Sequence, residues 1–392
     1  AFYPLMQLII RDLIYRSPHN IIFMNVVHIF WGLGFGGIET MLVNIANAQV
    51  KSGAKVSIII INDLCEESLL QLLYPEVTLH LLMRKQESKG VGFIFKLNRL
   101  LFLLQPDVIH LHRSDIGQLL LYKKFRKIAC VTLHDIPIGE MKNDTFMNYI
   151  WRKINKRPIK HSNVTYINRI PLVFAISNTV QNDLLTRYKI YSTVVFNGIL
   201  TSNFTQRMAT NPKDIFKILT VSRLEHLKKG QDLLLEAVAR IKGQVTIDFI
   251  GEGTSLDYLK AKANKLKIEN YVHFLGKKTQ KYISEHLSNY DLFVQPSRWE
   301  GFGLTVAEAM AARLPVLVSE GQGPAEVTCG DKYGWLFING NINDLKEKIE
   351  YIISHYDTAI QKAENALKYV CNTYDVSITA NKYLKEYSKI KP

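Results

Sequence analysis

The chain has 392 residues, of which 47% are hydrophobic and 21% charged, with a net charge of +14. That length predicts two or three domains with a sizeable core. Four cysteines scattered without metal-like spacing (Cys65, Cys130, Cys329, Cys371) speak for a reduced, cytosolic compartment and against a disulfide framework, and no apolar run is long enough to span a bilayer. The basic balance admits nucleic acid, an anionic membrane or a phosphorylated substrate as partner, but no recognised nucleic-acid motif is present.

Residues 1–23 lack a starting Met and carry no pattern that joins them to the first strand. Arg11 and Asp12 interrupt their apolar run and no cleavage site is present, so no signal peptide is read. Met24 precedes the first convincing strand and reads as the natural start, with residues 1–23 as a non-native leader; a membrane-contacting arm is the alternative. Asn25–Phe30 is an apolar strand, residues 31–37 a glycine-rich loop, residues 38–51 a helix with Met41, Leu42, Ile45 and Ala46 on one face, and residues 56–61 a second strand. Gly32-x-Gly34-x-x-Gly37 matches the dinucleotide fingerprint, which opens an oxidoreductase reading. Asp63 lies about ten residues later than that fingerprint wants its acidic residue.

Alternation continues through a strand at 77–82, a helix at 93–104, a strand at 107–111, a helix at 118–127 and a strand at 130–133. The helix at 93–104 carries Lys96 and Arg99 on one side. It either covers the sheet or lies on a membrane as an amphipathic element. His112 and His134 fall at strand ends, where open α/β sheets bind ligands. Residues 135–166 are basic and aromatic (Tyr149, Trp151, Tyr166) and break the pattern; Arg152, Lys153, Lys156, Arg157 and Lys160 form one of several basic clusters. Next come a strand at 172–176, the helix Asn178–Tyr188 with Ser177 as its cap, and a strand at 193–196. Residues 201–214, polar and holding Pro212, mark a domain boundary.

Phe216–Val221 opens a second sheet. Arg223 and Lys229 stand six residues apart on the loop that leads to a helix at 231–241. A planar fork and a point charge in that arrangement can grip a diphosphate and neutralise the charge that builds on a leaving group. No Asp-x-Asp signature is present, so neither metal nor cofactor is expected. Val245–Ile250 ends in Gly251-Glu252-Gly253, a tight turn. A strand at 272–275 leads to Gly276-Lys277-Lys278.

Residues 291–295 have strand length, 296–303 read as a loop and 304–312 as a helix that Pro315 stops. Residues 315–319 are the next buried strand. Glu300, Gly301, Phe302 and Gly303 therefore sit on a strand-to-helix turn, where exposed N–H groups and the helix dipole make an anion site. Glu300 precedes the helix and Glu308 lies about one turn inside it. A carboxylate beside an anion site repels the anion unless it accepts hydrogen bonds from hydroxyls. The combination implies a ligand with both phosphate and sugar hydroxyls. Helices at 343–356, 358–373 and 376–389 end the chain.

Glu300-Gly-Phe-Gly-x4-Glu308, with Gln295-Pro-Ser before it and Pro315-Val-Leu-Val and Gly323-Pro-Ala-Glu326 after it, resembles the Glu-x7-Glu motif of the family-4 glycosyltransferases. The resemblance runs from Asn25 to the C-terminus. It implies an α/β protein of GT-B architecture: two facing Rossmann-like domains with a cleft, at 24–205 and 206–372, and a helix at 373–392 that crosses back to the first. It implies retaining transfer of a sugar from a nucleoside-diphosphate donor to a glycan or lipid-linked hydroxyl, without metal, in bacterial capsule or lipopolysaccharide synthesis. By the same resemblance Glu308 accepts from ribose and Glu300 from the sugar, Arg223 and Lys229 hold the diphosphate, and Gly36, Gly37, Phe302 and Gly303 offer N–H groups. Gly301 and Leu304 belong to the same donor turn, Gly251 flanks the base, and His134 lies beside the transferred sugar. Residues 135–166 help shape the acceptor site. A cytoplasmic protein, peripheral on the inner membrane face and binding no nucleic acid, is expected. Two departures stand out: Leu200 replaces the Asp of the family's Asn-Gly-Ile-Asp turn, and Arg313 replaces a glycine, so a different helix cap is expected there. The rival readings are an epimerase or phosphorylase of this architecture, and a non-catalytic nucleotide-sugar-binding partner.

Overall fold

The structure, a computed structural model, describes residues 24–134, 167, 170–212, 215–241 and 245–390, apart from residue 35. The leader, Asp135, Tyr149, Trp151, Tyr166 and the basic cluster from Arg152 to Lys160 lie outside the described residues. The chain divides into two compact units. One comprises Ala1–Thr132, Thr165–Leu172 and Ala380–Pro392, the other Leu133–Val164 and Val173–Thr379.

The first unit holds parallel strands β1 (Asn25–Phe30), β2 (Lys55–Asn62), β3 (Thr78–Arg84), β4 (Val108–Leu111) and β5 (Ala129–Leu133), in the order β3-β2-β1-β4-β5. Val26, Val27 and Ile29 of β1 and Ile58, Ile59 and Ile60 of β2 are fully buried. Such apolar runs, interrupted in β1 only by the buried His28, are what a parallel strand covered on both faces requires. Helices α1 (Gly37–Lys51), α2 (Gly92–Leu104) and α3 (Lys123–Lys127) belong to this unit. The continuous helix expected at 118–127 does not form. Ser114–Leu119 is a 3-10 turn, Leu120 is extended, and α3 starts afresh. The Asn98 side chain explains the break: its amide donates to the Leu119 carbonyl at 2.8 Å and its oxygen accepts from the Leu121 N–H at 3.0 Å. The freed backbone groups are thereby satisfied outside a helix.

In the second unit, β6 (Leu172–Ala175) pairs in parallel with β7 (Thr193–Val194), and α4 (Asn178–Tyr188) lies between them in sequence. The Ser177 hydroxyl accepts from the Val180 N–H, which makes it the expected N-cap. A parallel six-stranded sheet runs in the order β10-β9-β8-β11-β12-β13, from β8 (Phe216–Val221), β9 (Val245–Ile250), β10 (Val272–Phe274), β11 (Leu292–Gln295), β12 (Val316–Ser319) and β13 (Trp335–Phe337). Helices α5 (Gln231–Val238), α6 (Leu256–Lys265), α7 (Gln280–His286), α8 (Leu304–Ala311) and α9 (Gly323–Val327) come after its strands. Ile218, Leu234, Ile247, Phe249, Leu292 and Leu317 anchor its core. Helices α10 (Ile342–Ser354), α11 (Tyr356–Thr373) and α12 (Val376–Tyr387) close the chain. No helix among the described residues is long and apolar enough to cross a membrane.

Arg313 ends α8 in a left-handed conformation, φ 56°. Its N–H reaches the Met310 carbonyl, and the Leu314 N–H reaches back to Ala309. This is the glycine-type cap built with an arginine, which costs about 1–2 kcal/mol of backbone strain. The side chain is held by Glu364 at 3.3 Å and Gln206 at 3.1 Å.

Candidate active site

The loop after β11 is positioned by backbone against backbone. Gly303 adopts φ 102° at the start of α8, and a Cβ there would lie 3.0 Å from Pro324. A Cβ on Gly323 would lie 2.5 Å from the Gly301 carbonyl and the Phe302 nitrogen. Only glycine permits that approach. The Gly323 N–H donates to the Glu300 carbonyl at 3.0 Å, and the Glu300 N–H donates to Gln322 Oε1 at 3.2 Å. Phe302 is buried against Phe196 and Tyr374, so its side chain is an anchor and only its backbone can serve a ligand. Leu304 opens α8, and the Val306 and Ala307 N–H groups donate to the Gly303 carbonyl at 3.1 and 3.2 Å.

Glu300 forms an ion pair with Lys229. Lys229 ends the short helical turn His226–Lys229 after β8, and Gly230 comes next at φ 67°. A Cβ on Gly230 would lie 1.9 Å from the Pro296 carbonyl oxygen, so the two loops meet only because residue 230 is glycine. Arg298 stitches them further. Its backbone N–H donates to the Lys228 carbonyl at 2.9 Å, its guanidinium donates to the His226 carbonyl at 2.6 Å, and it forks onto both oxygens of Asp232 at 2.8 Å. Burial works against the Asp232 charge, but the hydrogen bonds and charge of Arg298 prevail and hold that carboxyl below the usual range.

Glu308 is buried one turn into α8, and Gln280 of α7 donates to its Oε1 at 2.8 Å. Burial pushes its pKa up to about 7, against the pull of that hydrogen bond. His134 comes directly after β5. Burial pushes its pKa down to about 3, so its ring is neutral at pH 7. Its carbonyl oxygen lies 3.2 Å from the Cβ position of Gly301, so His134 and the motif loop abut.

A family model described as Glycosyltransferase Family 4 matches residues 35–203, and one described as Glycosyl transferases group 1 matches residues 203–369. The chain belongs to glycosyltransferase family 4. It is 24% identical over 307 residues to an uncharacterized glycosyltransferase of Methanocaldococcus jannaschii, across 76% of this chain and 80% of that protein. It is 30% identical over 168 residues to the N,N'-diacetylbacillosaminyl-diphospho-undecaprenol alpha-1,3-N-acetylgalactosaminyltransferase of Campylobacter jejuni, across 41% of this chain and 42% of that one. The solved structure of Anabaena HepE in complex with UDP and glucose matches with a TM-score of 0.74 at 22% identity, over 93% of this chain and 99% of that one. That likeness shows the GT-B fold of two parallel-sheet, Rossmann-like domains. The enzyme is a glycosyltransferase of the hexosyltransferase class.

Not every expected site residue of this glycosyltransferase joins the Lys229–Glu300 pair. The Arg223 side chain is 78% exposed and lies 3.4 Å from Glu225. Gly251, at φ 137°, has a structural duty: a Cβ there would lie 2.0 Å from the Ser222 carbonyl oxygen, and its N–H donates to Gly276. Gly36 starts α1 in extended conformation, ahead of Gly37, and its carbonyl accepts from Thr40. Gly32 and Gly34 pack on Leu64, where a Cβ would lie 3.3 and 3.0 Å away, so packing explains the dinucleotide-like spacing.

His112 belongs to a buried cluster with His28 and His110, whose ligand atoms lie within 4.8 Å of one another. A metal would find those nitrogens engaged. His28 is hydrogen-bonded to His112 at 3.0 Å and Gln49 at 2.8 Å, and His110 to Tyr387 at 2.6 Å and Thr132 at 2.7 Å.

The motif loop and α4 make further contacts that no local sequence pattern announces. The Ser177 hydroxyl donates to the Gly301 carbonyl at 2.6 Å, besides capping α4. Glu326, seen only as a flank of the motif, accepts from the Asn178 N–H at 2.8 Å and the Thr179 N–H at 3.1 Å. It thereby fills the N-terminus of α4 with its own carboxylate.

Proposed function

We propose that this enzyme moves a hexosyl group from a nucleoside-diphosphate sugar to a hydroxyl of a glycan or lipid-linked acceptor, with retention of configuration and without a metal. The observation that carries this reading is the Lys229–Glu300 pair at the start of α8, with Glu308 one turn inside. The pair holds one charge for each half of such a donor. Lys229 leaves Glu300 for the diphosphate and neutralises the leaving group as the sugar bond breaks. Glu300 is then released to accept hydrogen bonds from the sugar hydroxyls. The exposed Arg223 side chain swings from Glu225 onto the diphosphate. Glu308 accepts from the ribose, and the N–H groups of Gly301, Phe302, Gly303 and Leu304 face the phosphates. Neutral His134 donates or accepts beside the sugar. The acceptor hydroxyl attacks from the face that the diphosphate leaves, and a departing phosphate oxygen takes its proton.

The relatives support the substrate classes. The Anabaena structure holds UDP and glucose, and the Campylobacter protein is named for a diphospho-undecaprenol acceptor. We extend these to a uridine donor and a lipid-linked acceptor in cell-surface polysaccharide synthesis, at an anionic membrane surface. The test is a thermal-shift panel of UDP, GDP, ADP, CDP, dTDP and NAD, without added metal, on wild type and Arg223→Ala. One nucleoside diphosphate should raise wild-type stability by about 2.7 kcal/mol at 100 times its Kd, and less in the variant. Flat responses throughout would sink the donor reading. An inverted anomer in the product NMR spectrum would sink retention.

A further inference from the structure

Helix α2 presents a face that the described residues of its unit leave largely in solvent, with only Phe102 partly covered by α3. Phe95 is 66% exposed and Leu103 73%, with Val91 and Phe102 also in solvent. The positions 91, 95, 99, 102 and 103 have helical spacing, so these apolar side chains and Arg99 share one stripe, with Lys96 on its flank. Burial of Leu97, Asn98 and Leu101 on the opposite face fixes that orientation.

Helix α3 extends the stripe. The Phe102 ring meets Tyr122 at 4.8 Å and Phe125 at 4.9 Å between centroids, and the Lys124 ammonium sits 3.8 Å above the Phe102 ring. Lys123 and Lys127 stand exposed beside them. The two carboxylates between residues 91 and 127 are both engaged. Asp107 accepts from the Asn25 N–H at 2.8 Å, and Asp115 from Trp31 and Arg113. The face is thus apolar and cationic, and α2 and α3 bring no carboxylate to it. A bare apolar stripe would suit a protein partner. Aromatic and aliphatic tips fringed by cations suit the boundary between acyl chains and anionic headgroups.

We propose that the exposed face of α2, with α3 beside it, docks the enzyme on an anionic bilayer. Phe95, Phe102 and Leu103 enter the headgroup boundary, and Lys96, Arg99 and Lys124 meet lipid phosphates. The proposal rests on the membrane partner of the proposed function and names the face that meets it; donor binding does not enter it.

The test is co-sedimentation with vesicles of phosphatidylcholine, with and without phosphatidylglycerol, at about 0.15 M salt. Three proteins are compared: the wild type, Phe95→Ser/Leu103→Ser and Lys96→Gln/Arg99→Gln. The wild type sediments with the anionic vesicles and far less with the neutral ones. The charge variant binds them about 25-fold more weakly, at about fivefold per cation. The apolar variant binds at least about tenfold more weakly. All these side chains are in solvent, and the nucleotide-induced thermal shift of both variants should match the wild type. That readout separates a failure here from a failure of the donor reading. A wild type that stays in solution with anionic vesicles overturns the proposal. So do variants that sediment like the wild type. A wild-type dimer that Phe95→Ser/Leu103→Ser dissociates without lipid would assign the face to a second copy of the chain instead.

Discussion

Lys229 and Glu300 neutralise each other as a largely buried ion pair, on two loops that enter their helices from different strands. The pair satisfies both groups: each stands in for the ligand charge or dipole that the other meets in the proposed donor complex. Glu300→Gln should therefore have opposite effects on two quantities. It frees Lys229, so a bare nucleoside diphosphate should bind several-fold tighter. It also removes the proposed acceptor for the sugar hydroxyls, so turnover should fall by about 10²–10³. Lys229→Met should weaken both. Isothermal titration with the diphosphate, beside initial rates, reads the two effects separately. Weaker diphosphate binding in Glu300→Gln would refute the exchange of partners.

Glu308 should make stability and nucleotide binding depend on pH in opposite senses. Its pKa is raised from the usual 4.5 to about 7, so within that window the folded chain keeps a proton that the unfolded chain has released. Its contribution to stability is full at acid pH and falls as pH rises through the window, by on the order of 3 kcal/mol in all. Glu308→Gln should then stabilise the empty protein near about pH 8 and change little near about pH 4.5. In the proposed donor complex the ribose hydroxyls donate to an ionised Glu308, so nucleotide affinity should rise between about pH 6 and pH 8 in the wild type and lose that component in the variant. Gln280→Leu removes the hydrogen bond that favours the charge, so the midpoint should move upward. Thermal melts and titrations across pH check all three outcomes. A rise in affinity of equal size in Glu308→Gln would place the titrating group elsewhere.

Much of this site was legible in the sequence because its chemistry is local. Glu300, Gly301, Gly303 and Glu308 lie on one strand-to-helix turn, and Lys229 on another, so spacing alone placed them. The partners that tune them are distant in sequence. Asp232 meets Arg298 across 66 residues, Gln280 meets Glu308 across 28, and Asn178 meets Glu326 across 148. No pattern within one element announces such pairs. Arg223 shows the reverse: its position was legible and its side-chain direction was not. The same division holds for the fold. Strands such as Leu292–Gln295, buried throughout, and Val245–Ile250, with buried residues alternating at its start, read directly from their patterns. Helix α6 was missed because it buries only Leu259 and Ala263 along a polar run. The break at Leu120 needed Asn98, more than twenty residues earlier.

Two glycines in left-handed conformation separate strain from close approach. Gly321 has φ 71° with nothing within 4 Å of a Cβ, whereas the Cβ of Gly230 would strike the Pro296 carbonyl. Gly321→Ala should cost about 1 kcal/mol of stability and leave diphosphate binding intact. Gly230→Ala carries the same strain and must also push apart the loops that bear Lys229 and Arg298. It should cost more than about 2 kcal/mol and weaken diphosphate binding at least about tenfold. Urea melts and nucleotide titrations compare the two. Equal losses in both would mean that the contact with Pro296 contributes nothing.

Glu326 occupies the N-terminus of α4, where the dipole and the N–H groups of Asn178 and Thr179 favour a negative charge. Glu326→Gln keeps the shape but loses the charge, and its amide must turn one N–H toward those donors. A loss of about 1–2 kcal/mol is expected. Because Ser177 of the same cap donates to the Gly301 carbonyl, the damage should reach the motif loop. Donor KM should rise while the pH dependence set by Glu308 stays where it was. The pair Ser177→Ala and Glu326→Gln, with the double variant, tests the link in a thermodynamic cycle. Strictly additive losses in stability and in donor KM would show that α4 and the motif loop are held independently.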